Sequence, residues 1–141
     1  MREVGFIESV SVVSQNPRNG VATTYAFDLR PNIEIANGDI FYIKFPSEVL
    51  LPTSYYVQCN GDSSVGVSSC VKASSNQLKI TFTGISSKYD PSTDFTIYIH
   101  NVYNPVSFKP SSPFTDMKLV SKFGNDMAKY FDNQMIVETD L

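Results

Sequence analysis

Cys59 and Cys70 are the two cysteines of this 141-residue chain, in a stretch rich in Gly, Asp and Ser. Two thiols about a dozen residues apart in an extracellular domain form a disulfide most simply. Closing that loop would stabilise the fold by roughly 3 kcal/mol in the chain-entropy picture. The alternative is two free, partly buried thiols in a cytosolic protein. Zinc is not a candidate, because two Cys and the single His100 cannot supply four ligands. Asp90, Ser92 and Asp94 have the spacing that opens a calcium loop. Pro91 interrupts them and no Glu closes the set, so a polar turn before a strand is expected there. No metal site or cofactor is expected. No catalytic residue stands out either: a Cys with His100 is the one nucleophile–base pairing on offer, a disulfide would consume both thiols, and no G-x-S-x-G elbow occurs.

Tyrosines offer a second kind of chemistry. Tyr55 and Tyr56 stand side by side, and Tyr98 and Tyr103 lie further on. Exposed rings of this kind stack on sugars, with Asn and Asp as polar partners, which makes Tyr55 and Tyr56 the candidate ligand-binding pair. The chain has no Trp, the usual platform in lectin sites. Lys44 is a candidate for a covalent Lys–Asn crosslink only if it is buried, and its place on the polar face of a strand opposes that. The terminal Thr139-Asp140-Leu141 fits the pattern read by PDZ domains; at the end of an excised domain it would carry no meaning.

The composition bounds these options. Hydrophobic residues make up 42% and charged residues 18%, enough apolar material for one core, so residues 1–141 read as a single domain. The net charge of -3 opposes nucleic-acid binding, which needs a surplus of cations. Ser (18) and Thr (9) together outnumber the charged residues, a polar surface common in secreted and cell-surface β-domains. Apolar runs such as Val49-Leu50-Leu51 are far below the roughly 20 residues of a membrane span. The opening MREVGFIESVSVV lacks the apolar core of a signal peptide, so an extracellular chain of this kind is expected to be a mature fragment or an excised domain. No N-x-S/T sequon occurs.

The positioning elements read as strands, because the hydrophobic signal has period two in one segment after another. Phe6, Glu8, Val10 and Val12 alternate with Ile7, Ser9, Ser11 and Val13. Val21, Thr23, Tyr25, Phe27 and Leu29 give the cleanest alternation, ended by Pro31. Ile33 and Ile35 form a short piece, and Asn37-Gly38 favours a tight hairpin turn. Phe41, Ile43 and Phe45 share a face up to Pro46. Tyr55 to Cys59 reads as a strand, Cys70 to Lys72 as a short return, and Leu78, Ile80 and Phe82 as the next strand. Phe95, Ile97 and Ile99 follow, with Val102 continuing the row. Asn104-Pro105 and the Lys109–Pro113 stretch break the chain. Final strands are expected around 114–122 and 127–138, turning at Gly124-Asn125-Asp126. The result is an all-β, antiparallel β-sandwich or barrel of eight or nine strands, and one apolar and one polar face per strand favour the sandwich. Its expected core is Val21, Tyr25, Phe27, Leu29, Phe41, Ile43, Phe45, Leu78, Ile80, Phe82, Phe95, Ile97 and Ile99. The antibody-type Cys…Trp…Cys arrangement is absent, so Cys59–Cys70 is expected to tie a loop or strand edge rather than pin two sheets.

Four stretches taken together carry a family resemblance: GVATTYAFDLR (20–30), NGDIFYIKFPSEV (37–49), the Cys59…Cys70 pair before QLKITFTG (77–84), and DFTIYIHNVYNP (94–105). In this order they resemble the Ig-like repeat domains of very large surface proteins of ciliates and related protists. The resemblance implies an extracellular or cell-surface module, one of several in series, with no catalytic residue to carry over. The expected function is therefore structural: part of a cell-surface or filamentous assembly, joined to itself or neighbouring modules by strand pairing and head-to-tail contacts. The long first strand, 6–13, either completes its own sandwich or inserts into a neighbouring subunit as a donor strand. The alternatives are an adhesin or lectin-like module recognising glycan or protein, and a cytosolic interaction domain with free thiols.

Overall fold

The computed structural model describes residues 5–16, 18–33, 35–53, 56–62, 65–83, 94–106, 114–124 and 126–129. In chain order its strands are β1 (Gly5–Ser14), β2 (Ala22–Pro31), β3 (Ile40–Lys44), β4 (Cys59–Gly61), β5 (Gly66–Ser74), β6 (Gln77–Thr83), β7 (Phe95–Tyr103), β8 (Thr115–Val120) and β9 (Asp126–Lys129). They follow the order β4-β7-β2-β1-β9-β8-β3-β6-β5. One layer is β4-β7-β2-β1 and the other β9-β8-β3-β6-β5. The expected all-β sandwich is the fold of the described residues, and eight of its nine strands were expected at or near their positions.

The layers meet at β1. Its first residues pair with β9 in parallel, Gly5 with Ala128 and Phe6 with Lys129, and the rest pairs antiparallel with β2. The switch occurs at a bulge between Ile7 and Ser9. A bulge bends a strand and lets it change sheets at a corner. It also breaks the alternation: Ile7 is buried instead of facing out with Ser9 and Ser11. β1 is thus paired within its own sandwich, Gly5 and Phe6 with β9 and Ile7–Ser14 with β2, and along Ser9–Ser14 its other edge meets no described strand.

The two sheets enclose one core, and every expected core residue except the half-buried Val21 is buried. Val21 falls just before β2, outside the alternation that buries Tyr25, Phe27 and Leu29. Phe27, Phe45 and Phe114 form a triangle of edge-to-face rings with centroids 5.1–5.7 Å apart, the geometry that aromatic quadrupoles prefer. Ile35, Val49, Val57 and Val65 are buried as well, although none lies in a named strand. Loops therefore supply part of this core.

Two turn expectations need correction. Asn37-Gly38 does form a turn, with Gly38 at φ 90° and the Asp39 amide donating to Ala36 O at 3.1 Å. It joins no hairpin, because β3 pairs with β6 and β8 and not with the Ile33–Ile35 segment. The strand expected over Tyr55–Cys59 begins later, at Cys59. The 121–126 turn closes the β8–β9 hairpin as expected, with Gly124 at φ 87°. The parts of the last expected strand beyond Lys129, and the terminal Thr139-Asp140-Leu141, lie outside the described residues.

Candidate functional site

Cys59 and Cys70 form a disulfide, with Cα atoms 6.3 Å apart. Its role differs from the one expected. β4 and β5 stand at opposite ends of the strand order, one in each layer, so the bond pins the two sheets together. The short sequence separation misleads because the intervening chain crosses between layers. Tyr56 bridges Val71, and the Val57 amide donates to Cys70 O at 2.9 Å, both on the β5 side. One residue later Gln58 O accepts from the His100 amide at 2.9 Å, and Cys59–Gly61 joins β7. Segment 56–61 thus closes the side of the sandwich opposite β1. The turn that follows is held by Asp62, whose carboxylate accepts from the Val65 amide (3.1 Å) and the Thr96 amide (2.8 Å).

Of the expected tyrosine pair, Tyr55 lies outside the described residues. Tyr56 sits on the crossing segment and is 72% exposed. It lines a shallow groove of about 350 Å³ with Pro52, Val57, Gln58 and Asn101. Asn101 was not a sequence candidate. Its backbone is left-handed, φ 62°, where β7 slips register against β2 between Thr23 and Tyr25. Asn is the non-glycine residue best suited to that conformation. Strict alternation after Phe95, Ile97 and Ile99 would turn Asn101 inward. The extra residue instead buries Val102 and presents the Asn101 amide beside Gln58, at 3.5 Å. An Asn breaking an apolar alternation was the available signal.

Next to the groove, on the outer face of β4-β7-β2, His100 uses both ring nitrogens. Nδ1 lies 2.8 Å from Thr24 Oγ1 and Nε2 lies 2.5 Å from Asn60 Oδ1. Asn60 Oδ1 only accepts, so Nε2 donates to it, and the Thr24 hydroxyl, which can donate or accept, partners Nδ1. His100 faces solvent as expected, in an amide and hydroxyl setting, and both cysteines are in the disulfide, so no thiol is left to pair with it. Tyr98 is half-buried on the same face, and Tyr103 lies further along at 45% exposure.

The candidate calcium residues are not joined into a site by what is described. Asp90 and Ser92 lie outside the described residues, and Asp94 pairs with Arg30 across the strand ends at 2.8 and 3.1 Å. The guanidinium hydrogen bond holds the Asp94 carboxyl below its ordinary range. Both side chains are about half exposed, so solvent screens the pair and it contributes little to stability. A lowered carboxyl pKa contributes stability above its unfolded value and loses it as pH falls through the folded one. Arg30→Ala should therefore raise the Asp94 pKa in an NMR titration while leaving the melting temperature near neutral pH almost unchanged. An unmoved Asp94 titration would refute the pairing.

The outer face of β5-β6-β3-β8 has a different character. Val71, Lys79, Tyr42 and Lys118 form one cross-strand row. The Lys118 ammonium lies 5.5 Å from the Tyr42 ring centroid, a cation–π distance. Lys44 is exposed on the same face, one strand pair further along, and not buried as a crosslink would need. Among the described side chains this face thus carries three lysines, Lys44, Lys79 and Lys118.

Among the described residues no cluster of His, Cys, Asp and Glu is placed to hold a metal ion, and no helix is long and apolar enough to cross a membrane.

No protein-family model matches the sequence, and neither does any curated protein. Solved structures do. The fold is similar to a type II cohesin domain from the cellulosome of Acetivibrio cellulolyticus, at TM-score 0.55 and 12% identity over 96% of this chain and 95% of that one. It is also similar to the second type II cohesin module of the adaptor ScaA scaffoldin of the same organism, at TM-score 0.52 and 12% identity over 97% and 98%. At that identity the likeness is one of fold: the chain is a β-sandwich of cohesin-like architecture along nearly its whole length.

Proposed function

We propose that this chain is a non-enzymatic extracellular module that holds an assembly together by protein–protein contact, with copies of itself or neighbouring modules as partners. The observation that supports this is the cohesin-like sandwich spanning nearly all of both chains, since the solved neighbours are modules of a cellulosome and its adaptor scaffoldin. The disulfide suits an oxidising, extracellular setting. A place in series within a large cell-surface protein, as the sequence resemblance implies, belongs to the same proposal.

Two kinds of surface are open to such contact. One is the edge of β1 beyond its bulge, where Ser9–Ser14 pair with β2 alone among the described strands; the two ends of the strand order, by contrast, face each other across the disulfide. The other is the pair of broad outer faces. On one of them Lys44, Lys79 and Lys118 surround Tyr42, and on a chain of net charge -3 these lysines can meet the carboxylates of a second copy. Size-exclusion chromatography with light scattering, at rising concentration and at low and high salt, tests this. The expected result is defined oligomers that salt weakens. Lys79→Glu combined with Lys118→Glu should weaken association by at least roughly tenfold. A monomer at every concentration and salt would overturn self-association.

A further inference from the structure

We propose that the groove beside the Cys59–Cys70 bond is a binding site for a neutral carbohydrate. Four observations converge on it. Tyr56 offers a largely exposed ring next to Pro52. An aromatic face is electron-rich, so it stacks on the weakly positive C–H face of a pyranose. Gln58 and Asn101 place two planar amides in the groove; Asn101 Nδ2 faces Gln58 Oε1 at 3.5 Å, which leaves the Gln58 amide N–H as donor and Asn101 Oδ1 as acceptor for neighbouring sugar hydroxyls. None of the described lining residues is charged, which favours a neutral sugar over a sialylated or sulfated one. The nearby Lys72 ammonium is engaged by Pro52 O at 2.9 Å.

The groove is also held in shape before any ligand arrives. Its floor is segment 56–58, hydrogen-bonded to β5 through Val57 and to β7 through Gln58, with the disulfide at the next residue. The Asn101 amide is presented by a left-handed bulge in β7. Bulges recur where a strand must re-aim a side chain at a functional site. A pre-formed site loses less entropy on binding. This site lies on the β4-β7 side and does not depend on the lysine-bearing face of the proposed assembly.

The test is a glycan array carrying neutral, sialylated and sulfated oligosaccharides, probed with the full oxidised chain. Each neutral oligosaccharide that binds is then titrated into the 15N-labelled protein. The expected result is binding of neutral oligosaccharides, with amide shifts centred on Tyr56, Gln58 and Asn101. Tyr56→Ala should weaken it about tenfold, and Tyr56→Phe should restore it because the ring is kept. Asn101→Gly removes the amide but accepts the left-handed backbone, so the fold stays intact while affinity falls about tenfold. Failure of every neutral glycan to bind, a preference for charged ones, or binding indifferent to both Tyr56→Ala and Asn101→Gly would overturn the proposal. Oligomeric state is read separately by light scattering, so either proposal can fail alone.

Discussion

Replacing Asn104 with Ala should destabilise the protein by about 3 kcal/mol, although the substitution removes only a small polar group. Asn104 is 1% exposed. Its Oδ1 accepts from Tyr25 Oη at 2.6 Å and lies 3.0 Å from Ser14 Oγ. Its Nδ2 donates to Asn16 O and Arg18 O, each at 2.6 Å. One side chain thereby ties the end of β1, the 16–18 turn and β2 to the end of β7. Truncation strips the buried Tyr25 phenol of its acceptor, an orphan that costs about 1–3 kcal/mol, while Asn16 O keeps the Ser14 hydroxyl at 3.1 Å and Arg18 O the Val21 amide at 3.4 Å. Tyr25→Phe removes only one bond and should cost about 1.5 kcal/mol. Denaturant unfolding measures both, and a loss below about 1 kcal/mol for Asn104→Ala would show that water replaces the amide.

The same contact predicts an alkaline limit. Burial pushes the Tyr25 phenol above its ordinary range, because the phenolate would be desolvated. The stability tied to this group is full below the unfolded tyrosine value near pH ~10 and falls as pH rises beyond it. Tyr25→Phe should flatten that part of the pH profile.

Gly61→Ala should cost roughly 3 kcal/mol or more, by collision rather than by lost contact. A Cβ built on Gly61 falls 1.8 Å from the Val65 carbonyl oxygen and 2.9 Å from its carbon. Both are backbone atoms, so no rotamer change relieves the clash, and the β4–β5 turn must move. The turn is anchored on both sides by Asp62 and lies two residues from Cys59. Gly124→Ala is the contrast: nothing stands within 4 Å of its Cβ, and only the φ of 87° opposes the change, a cost of about 1 kcal/mol. If the two variants lose equal stability, the close approach at Gly61 is wrong.

These two positions mark where the sequence was silent. Asn104 reads as a chain breaker before Pro105, and Gly61 as one of several polar residues in a loop. Nothing local distinguishes a buried amide from a surface one, since its partners are Ser14, Asn16, Arg18 and Tyr25, roughly 80–90 positions away. The crossing at 56–61 was equally hidden, because hydrophobic alternation reports which residues face the core and not which sheet they join. For that reason the cysteines were paired correctly but given the wrong structural role. The bulges near Ile7 and at Asn101 each add one residue to a strand and so shift the face of what lies beyond.

What the sequence determined by itself was the class of fold and most of its core. Period-two apolar rows at Tyr25–Leu29, Phe41–Phe45, Leu78–Phe82 and Phe95–Ile99 can bury their side chains only as strands packed face to face, whatever the strand order. It also limited the chemistry, since two cysteines and a single histidine leave little for a metal or a nucleophile. Only the tertiary structure decided that β1 changes sheets, that the disulfide joins the two layers, and that Tyr56, Gln58 and Asn101 line one groove. Each of these depends on long-range pairing and on single-residue register shifts. A shift of that size leaves composition and turn chemistry unchanged, yet reverses the direction of every side chain after it.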